Sequence, residues 1–195
     1  MLPDDDFTGD IAHFGFKFIG LAVLRFIFDN EQSNVVYNSI ELPPLNDGIN
    51  IVPWDLSYRK DAIKIIHNNF KDTSDALFDT RFKSLQGTED IINKIIENVY
   101  GEFMPDATSV LLRDDKPIGF VFANITTNKI ANIPLVAINK EYRGHRYSEH
   151  LLKRTLRVVK DSIKSGRRDF YEMNVTTETD NYSALKMYRK VGFRE

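Results

Sequence analysis

The stretch Tyr142-Arg143-Gly144-His145-Arg146-Tyr147-Ser148 sets one glycine and three basic side chains directly before an amphipathic run. That arrangement can bind an anion. Backbone N–H groups at a helix start lack acceptors within the helix, the helix dipole places positive charge behind them, and glycine lets a phosphate approach closely. Arg143, His145 and Arg146 add cations around the same point. The same residues also describe a basic turn that merely opens a helix, and local features leave both readings standing.

Composition narrows the alternatives. The 195 residues include no cysteine, which removes disulfides, thiolate nucleophiles and thiolate metal sites and makes the cytoplasm the expected compartment. A formal net charge of −2 and a pI near 6.1 give no overall field toward nucleic acid or an anionic membrane, so neither partner is expected and any anion site is local. His13, His67, His145 and His150 lack metal-ligand spacing, and no metal is expected. Neither G-x-S-x-G nor G-x-x-x-x-G-K-[ST] occurs, so hydrolase and P-loop readings lack their motifs. Lys153, Arg154, Arg157, Lys160, Lys164, Arg167 and Arg168 make one helical stretch basic, which reads as a solvated face.

The elements that must position the turn follow from periodicity. The apolar run from Ile11 to Phe28 is interrupted by His13, Lys17 and Arg25 and preceded by Asp4, Asp5 and Asp6, so it is neither signal peptide nor membrane span. Phe14, Phe16 and Phe18, then Leu24, Phe26 and Phe28, alternate as in strands. A polar loop over 29–34 and the run Val-Val-Tyr-Asn-Ser-Ile-Glu-Leu at 35–42 predict a returning strand, so residues 1–48 read as a β-rich appendage. Residues 49–195 read as a second unit. It opens with a strand over 49–54 and a helix capped by Asp55 or Ser57 that carries Ile63, Ile66 and Phe70. A helix from near Thr88, with Ile91, Ile92, Ile95, Ile96 and Val99 inward, stops at Gly101. Strands over 109–114 and 117–125 flank a hairpin turn, and a further strand covers 132–139. Leu152, Leu156, Val159 and Ile163 mark the helix after the basic turn, ended by Gly166. A strand over 170–177 and a helix capped by Asp180, with Ala184, Leu185 and Tyr188, complete the order. A right-handed strand–helix–strand crossover between 132 and 177 places two strands parallel in an otherwise antiparallel sheet. The fold class is therefore α/β, a mixed and mostly antiparallel sheet flanked by helices. The basic turn sits at the carboxyl end of the parallel pair, where such sheets bind ligands.

Two segments together, Leu-Val-Ala-Ile-Asn-Lys-Glu-Tyr-Arg-Gly-His-Arg-Tyr-Ser-Glu-His-Leu-Leu at 135–152 and Asn-Val-Thr-Thr-Glu-Thr-Asp-Asn-Tyr-Ser-Ala-Leu-Lys-Met-Tyr-Arg-Lys-Val-Gly-Phe at 174–193, resemble the GNAT superfamily of acetyl-CoA-dependent N-acetyltransferases. The family pattern is an apolar strand followed by Q/R-x-x-G-x-G/A, then a strand followed by Asn, Ala, Tyr and Gly-Phe. The resemblance implies a GNAT-like sheet from residue 49 onward and acetyl-CoA as co-substrate. It implies that Val136, Ala137, Ile138 and Asn139 offer their backbone to the pantetheine arm, and that Arg143, Gly144, His145, Arg146, Tyr147 and Ser148 hold the pyrophosphate. Asn181 then lies beside the coenzyme, and Tyr188 protonates the departing thiolate, a role open to a phenol of ordinary pKa near 10. Two positions depart from the pattern: Arg146 stands at the fourth-position glycine and Ser148 at the final Gly or Ala. With an arginine there, either the pyrophosphate sits slightly higher, or the guanidinium replaces some backbone contacts with a charge-assisted one, or coenzyme binding is lost.

The implied reaction is acetyl transfer to a primary amine, small-molecule or peptide, by direct attack in a ternary complex. No general base is assigned: the family's strand glutamate falls near Asn132, and neither Glu102 nor His67 is claimed. The alternative is a non-catalytic interaction or sensing module whose altered turn no longer binds coenzyme. Family members usually add two strands after Gly-Phe, whereas this sequence stops at Val-Gly-Phe-Arg-Glu. The open sheet edge is expected to be covered by residues 14–42, by a partner subunit in a homodimer, or by a continuation of a longer protein.

Overall fold

The computed structural model describes residues 20–127 and 129–195, so the expected strand through Phe14, Phe16 and Phe18, and His13, lie outside the described residues. In chain order the elements are β1 (Leu21–Ile27), α1 (Glu31–Ser39), β2 (Ile49–Pro53), α2 (Arg59–Phe70), α3 (Asp75–Phe78), α4 (Leu85–Ile96), β3 (Glu102–Phe103), β4 (Ser109–Arg113), β5 (Lys116–Val121), β6 (Asn124–Thr127), β7 (Ile130–Ile133), β8 (Val136–Ile138), α5 (Tyr147–Lys164), β9 (Glu172–Glu178) and α6 (Tyr182–Val191). The fold is mixed α/β. One sheet runs β1-β9-β7-β6-β3 and the other β2-β4-β5-β8. All pairings are antiparallel except β7 with β9, the parallel pair that the crossover through α5 requires.

Both faces of the second sheet are covered, which is why its strands read as continuous apolar runs. Val110, Leu112, Phe120 and Phe122 join Ile63 and Ile66 of α2 and Ile91, Ile92 and Ile95 of α4 in one core. Leu111, Ile118 and Val121 join Leu152, Leu156 and Val159 of α5 in the other, which extends to Phe26, Met173, Val175, Tyr188 and Phe193. Among the described residues no helix is long and apolar enough to cross a membrane.

Several local expectations are corrected. Residues 35–42 do not return as a strand. The polar run before them is the start of α1, where Asn30 Oδ1 accepts from Ser33 N–H at 2.9 Å, and this N-cap outweighs the strand propensity of Val35, Val36 and Tyr37. Ser84, through its hydroxyl, caps α4 on Gly87 N–H at 3.0 Å, so that helix begins at Leu85 and ends at Ile96. Val99 is exposed, and Asn98, not Gly101, takes the first left-handed turn beyond the helix. Asn181, not Asp180, caps α6.

The correction that matters for function concerns the two long strands. The run over 117–125 divides into β5 and β6, and 132–139 divides into β7 and β8. Pro134 lies at the second break and has no N–H to give a ladder. The chain thus leaves the first sheet at Ile133 and joins β5 of the other at Val136. Strands β8 and β9 consequently diverge, and a cleft opens between them. β1 pairs along the far side of β9, from Leu21 opposite Glu178 to Ile27 opposite Glu172, and its outer edge bridges to Arg194.

Candidate functional site

The cleft between the diverging strands has an outer part of about 520 Å³ and an inner recess of about 240 Å³. Phe70, Asp75, Val136, Asn181, Ala184 and Met187 line both, so the two are continuous. One wall is the free edge of β8. Asn139 N–H donates to Ile118 O and Phe122 N–H to Leu135 O, with Ala137 opposite Phe120. In this antiparallel register the backbone of Leu135, Ala137 and Asn139 faces β5, and that of Val136 and Ile138 faces the cleft. The side chain of Arg143 takes part of that edge, its Nε donating to Ile138 O at 3.3 Å. Of the four residues expected to offer backbone there, two are therefore turned toward the cleft and two are paired within the sheet.

The basic turn forms the outer end. Gly144 has φ +86, and beyond its chain neighbours no described atom lies within 4 Å of where a Cβ would stand. The backbone N–H groups of Gly144, His145, Arg146, Tyr147 and Ser148 have no acceptor among the described residues. Arg146 has φ 61 and ψ 15, the left-handed conformation that suits glycine. The turn thus takes at this position a backbone shape that suits glycine while carrying an arginine. Its guanidinium is engaged inside the protein: Nε and Nη2 donate to Glu149 Oε2 at 2.9 and 2.6 Å, and Nη1 to Glu41 O at 3.1 Å. Glu149 is buried, and its other oxygen lies 3.5 Å from Lys190 Nζ.

This geometry separates two substitutions. Arg146→Gly and Arg146→Ala both remove the Glu149 pair, but only glycine relieves the left-handed backbone, a difference of about 1 kcal/mol. The glycine variant is expected to be the more stable of the two in thermal unfolding, and equal stabilities would show that the turn is unstrained.

Tyr188 lies in the inner recess, almost fully buried, its ring edge-on to Phe193 at 5.9 Å. Burial, and then the charge of Asp75, pushes its phenol above the usual range. Asn181 sits at the junction of the two parts, its Oδ1 accepting from Ala184 N–H at 3.1 Å. Of the sequence-selected residues, Val136, Ala137, Ile138, Arg143, Gly144, Arg146, Tyr147, Ser148 and Asn181 line the outer part, whereas Asn139 and His145 do not. His145 instead stacks on Tyr147 at 5.3 Å.

Sequence reasoning missed the opposite wall. It comes from the end of α2 and the loop into α3, with Asn69, Phe70, Thr73 and Asp75. No motif marks these residues; only the fold brings them over β9. Glu102 pairs with Arg168, and His67 Nδ1 contacts Phe82 O at 3.0 Å. Neither lines the cleft. Much of the basic charge on α5 is engaged in holding neighbouring segments: Lys153 donates to Ile40 O, Lys160 to Asn34 Oδ1, and Arg154 to Asp106 O and Ser109 Oγ. No group of three or more potential metal ligands is formed among the described residues.

Comparison with known proteins gives a consistent picture. The family model described as the acetyltransferase (GNAT) family matches residues 75–193, from Asp75 through the β8 wall and the basic turn to the end of α6. N-alpha-acetyltransferase 30 of Schizosaccharomyces pombe is 27% identical over 149 residues, covering 74% of this chain and 83% of that protein. Among solved structures, a GCN5-related N-acetyltransferase from Sphaerobacter thermophilus superposes with a TM-score of 0.64 at 14% identity, over 98% of this chain and 53% of that one. The chain thus spans about half the length of that structural relative. The aminoglycoside N-acetyltransferase AAC(6')-Iy, in complex with CoA, superposes with a TM-score of 0.57 at 12% identity, over 79% of this chain and 93% of that one.

Proposed function

The chain belongs to the GNAT acetyltransferase family, and from that premise we propose that it transfers an acetyl group from acetyl-CoA to a primary amine by direct attack in a ternary complex in the cytoplasm. The observation that carries the reading is the convergence on one cleft of unpaired turn amides, a free strand edge and a buried phenol.

The residues fit the coenzyme. The N–H groups of Gly144 to Ser148, at the positive end of the α5 dipole, would hold the pyrophosphate. The open space at Gly144 admits a phosphate close to the backbone. Val136, with both backbone groups free, and Ile138 N–H would pair with the amides of the pantetheine arm. Acetyl-CoA supplies an activated thioester. Asn181, fixed as a helix cap, keeps its side-chain NH₂ for the arm. Arg146 shapes the turn, and its charge is neutralised by Glu149 before any phosphate arrives.

Tyr188 holds the proton that the departing sulfur needs. Because its pKa is raised, by burial first, it stays protonated at neutral pH. Burial that disfavours phenolate also disfavours a thiolate in the same recess, so donor and acceptor shift together and the transfer remains feasible. The acceptor is a small-molecule or peptide amine; the yeast relative's name, with its α-amino acceptor, favours a peptide N-terminus.

Acetyl-CoA at 1 mM is the direct test. With a Kd of about 10 µM it should stabilise the fold by about 2.7 kcal/mol, raising Tm by roughly 5–10 °C for a chain of this size. No shift would overturn the reading and favour a non-catalytic interaction or sensing module.

A further inference from the structure

The recess contains a carboxylate that the reaction above does not use. Asp75, at the first position of α3, lines both parts of the cleft. Among the described residues, Asp75 and Tyr188 are the only Asp, Glu, His, Lys or Tyr lining the inner recess. Thr73 Oγ1 lies 2.8 Å from Phe70 O and 3.1 Å from Asp75 Oδ2, so its single proton is shared between the two acceptors and the carboxylate is only partly satisfied by it. Glu178 ends β9 beside it. This second carboxylate is 8% exposed; Oε2 accepts from Ser74 Oγ, and Oε1 is buried with no partner. Glu178 does not line the cavity, so its negative charge acts on the recess through space, beside Asp75, rather than by contact. An ammonium group brings three donors and a positive charge.

We propose, resting on the acetyltransferase reading, that Asp75 receives the acceptor's ammonium in the inner recess and acts as the general base, with Glu178 as the second carboxylate that favours a cationic amine. The substrate class is therefore a primary amine that arrives protonated. Asp75 takes one proton from the ammonium and passes it to solvent. The freed lone pair forms the N–C bond to the acetyl carbonyl. As the C–S bond breaks, Tyr188 gives its proton to sulfur and is reprotonated by the second proton leaving the nitrogen. The products are the amide, the CoA thiol and one released proton.

The electrostatics agree. Burial, with the Glu178 charge adding to it against the Thr73 hydrogen bond, raises Asp75 above the usual carboxylate range and so makes it a stronger base. The titratable groups facing it are Glu178 from β9 and Tyr188 from α6. The native carboxyl pKa is above the unfolded one, so stability from this group is present at low pH and lost as pH rises through the native value. Ionised Asp75 thus destabilises the fold near pH 7, and its loss should not.

The test is Asp75→Asn, assayed with acetyl-CoA and two amine probes, spermidine and a tetrapeptide with a free α-amino group, the faster being carried forward. The expected result is unchanged acetyl-CoA stabilisation, Tm equal to or above wild type, and kcat/KM about 100-fold lower at pH 7. That deficit should shrink to less than about 10-fold as pH approaches the amine's own pKa, where the free base needs no removal of its proton. Glu178→Gln, which can still accept from Ser74, should raise KM more than it lowers kcat. A deficit that is the same at every pH, a loss below about 3-fold, or an Asp75→Asn protein that no longer gains stability from acetyl-CoA would overturn the proposal. Wild-type protein that gains none would instead overturn the acetyltransferase reading, so the two failures are distinct.

Discussion

Tyr188→Phe is expected to lower kcat by about 10²–10³-fold, within the usual range for a lost general acid, while acetyl-CoA still raises Tm as it does in wild type. The expectation combines two independent observations. The hydroxyl has no hydrogen bond among the described residues, while the ring packs edge-on against Phe193. Phenylalanine keeps the ring contacts and removes only the hydroxyl of a residue that lines the recess, so the fold should be about as stable. Loss of turnover without loss of stability or coenzyme binding places the hydroxyl in the transition state. Unchanged kcat under conditions where chemistry is rate-limiting would show that sulfur leaves without this proton.

The turn and the last helix were legible in the sequence because each is a local device. An amide-rich helix start after Gly144, and the spacing of Ala184, Leu185 and Tyr188 on the last helix, are written in nearby residues, although the cap is Asn181 and not the expected Asp180. The parallel pair was legible too, since a strand, a long helix and a strand can connect in only one hand. The cleft itself was not. It depends on β7 leaving β9 at Pro134, and an apolar run of eight residues looks like one strand whether or not its two halves belong to the same sheet. Asp75 was invisible for a related reason: it lies about a hundred residues from Glu178 and Tyr188, and only the path of the loop after α2 brings it there. Arg146 shows a further limit. Sequence identified the missing glycine, but not that arginine would adopt glycine's backbone angles and turn its charge toward Glu149.

Gly192→Ala is expected to lower stability by about 3 kcal/mol, as the sum of left-handed strain of about 1–2 kcal/mol and overpacking of about 1–3 kcal/mol. Gly192 ends α6 with φ +106, its N–H donating to Arg189 O at 3.2 Å while Phe193 N–H closes on Tyr188 O at 3.1 Å. A Cβ there would stand 2.8 Å from Ser33 O of α1 and 2.9 Å from Phe26 Cε2 of β1. Neither neighbour can yield easily. Ser33 is buried within a capped helix, and Phe26 is fully buried with its ring against Phe193 at 5.8 Å. For a chain of this size the loss corresponds to a Tm about 10 °C lower. Gly144→Ala is the matched control, because Gly144 also has positive φ but nothing within 4 Å of its Cβ position. It should lose only the strain, about 1–2 kcal/mol. The gap between the two variants therefore measures how firmly α1 and β1 press on the end of α6, the segment that carries Tyr188. Equal losses would mean that the N-terminal elements do not brace the helix at that point, and the phenol would then owe its position to α6 and β9 alone.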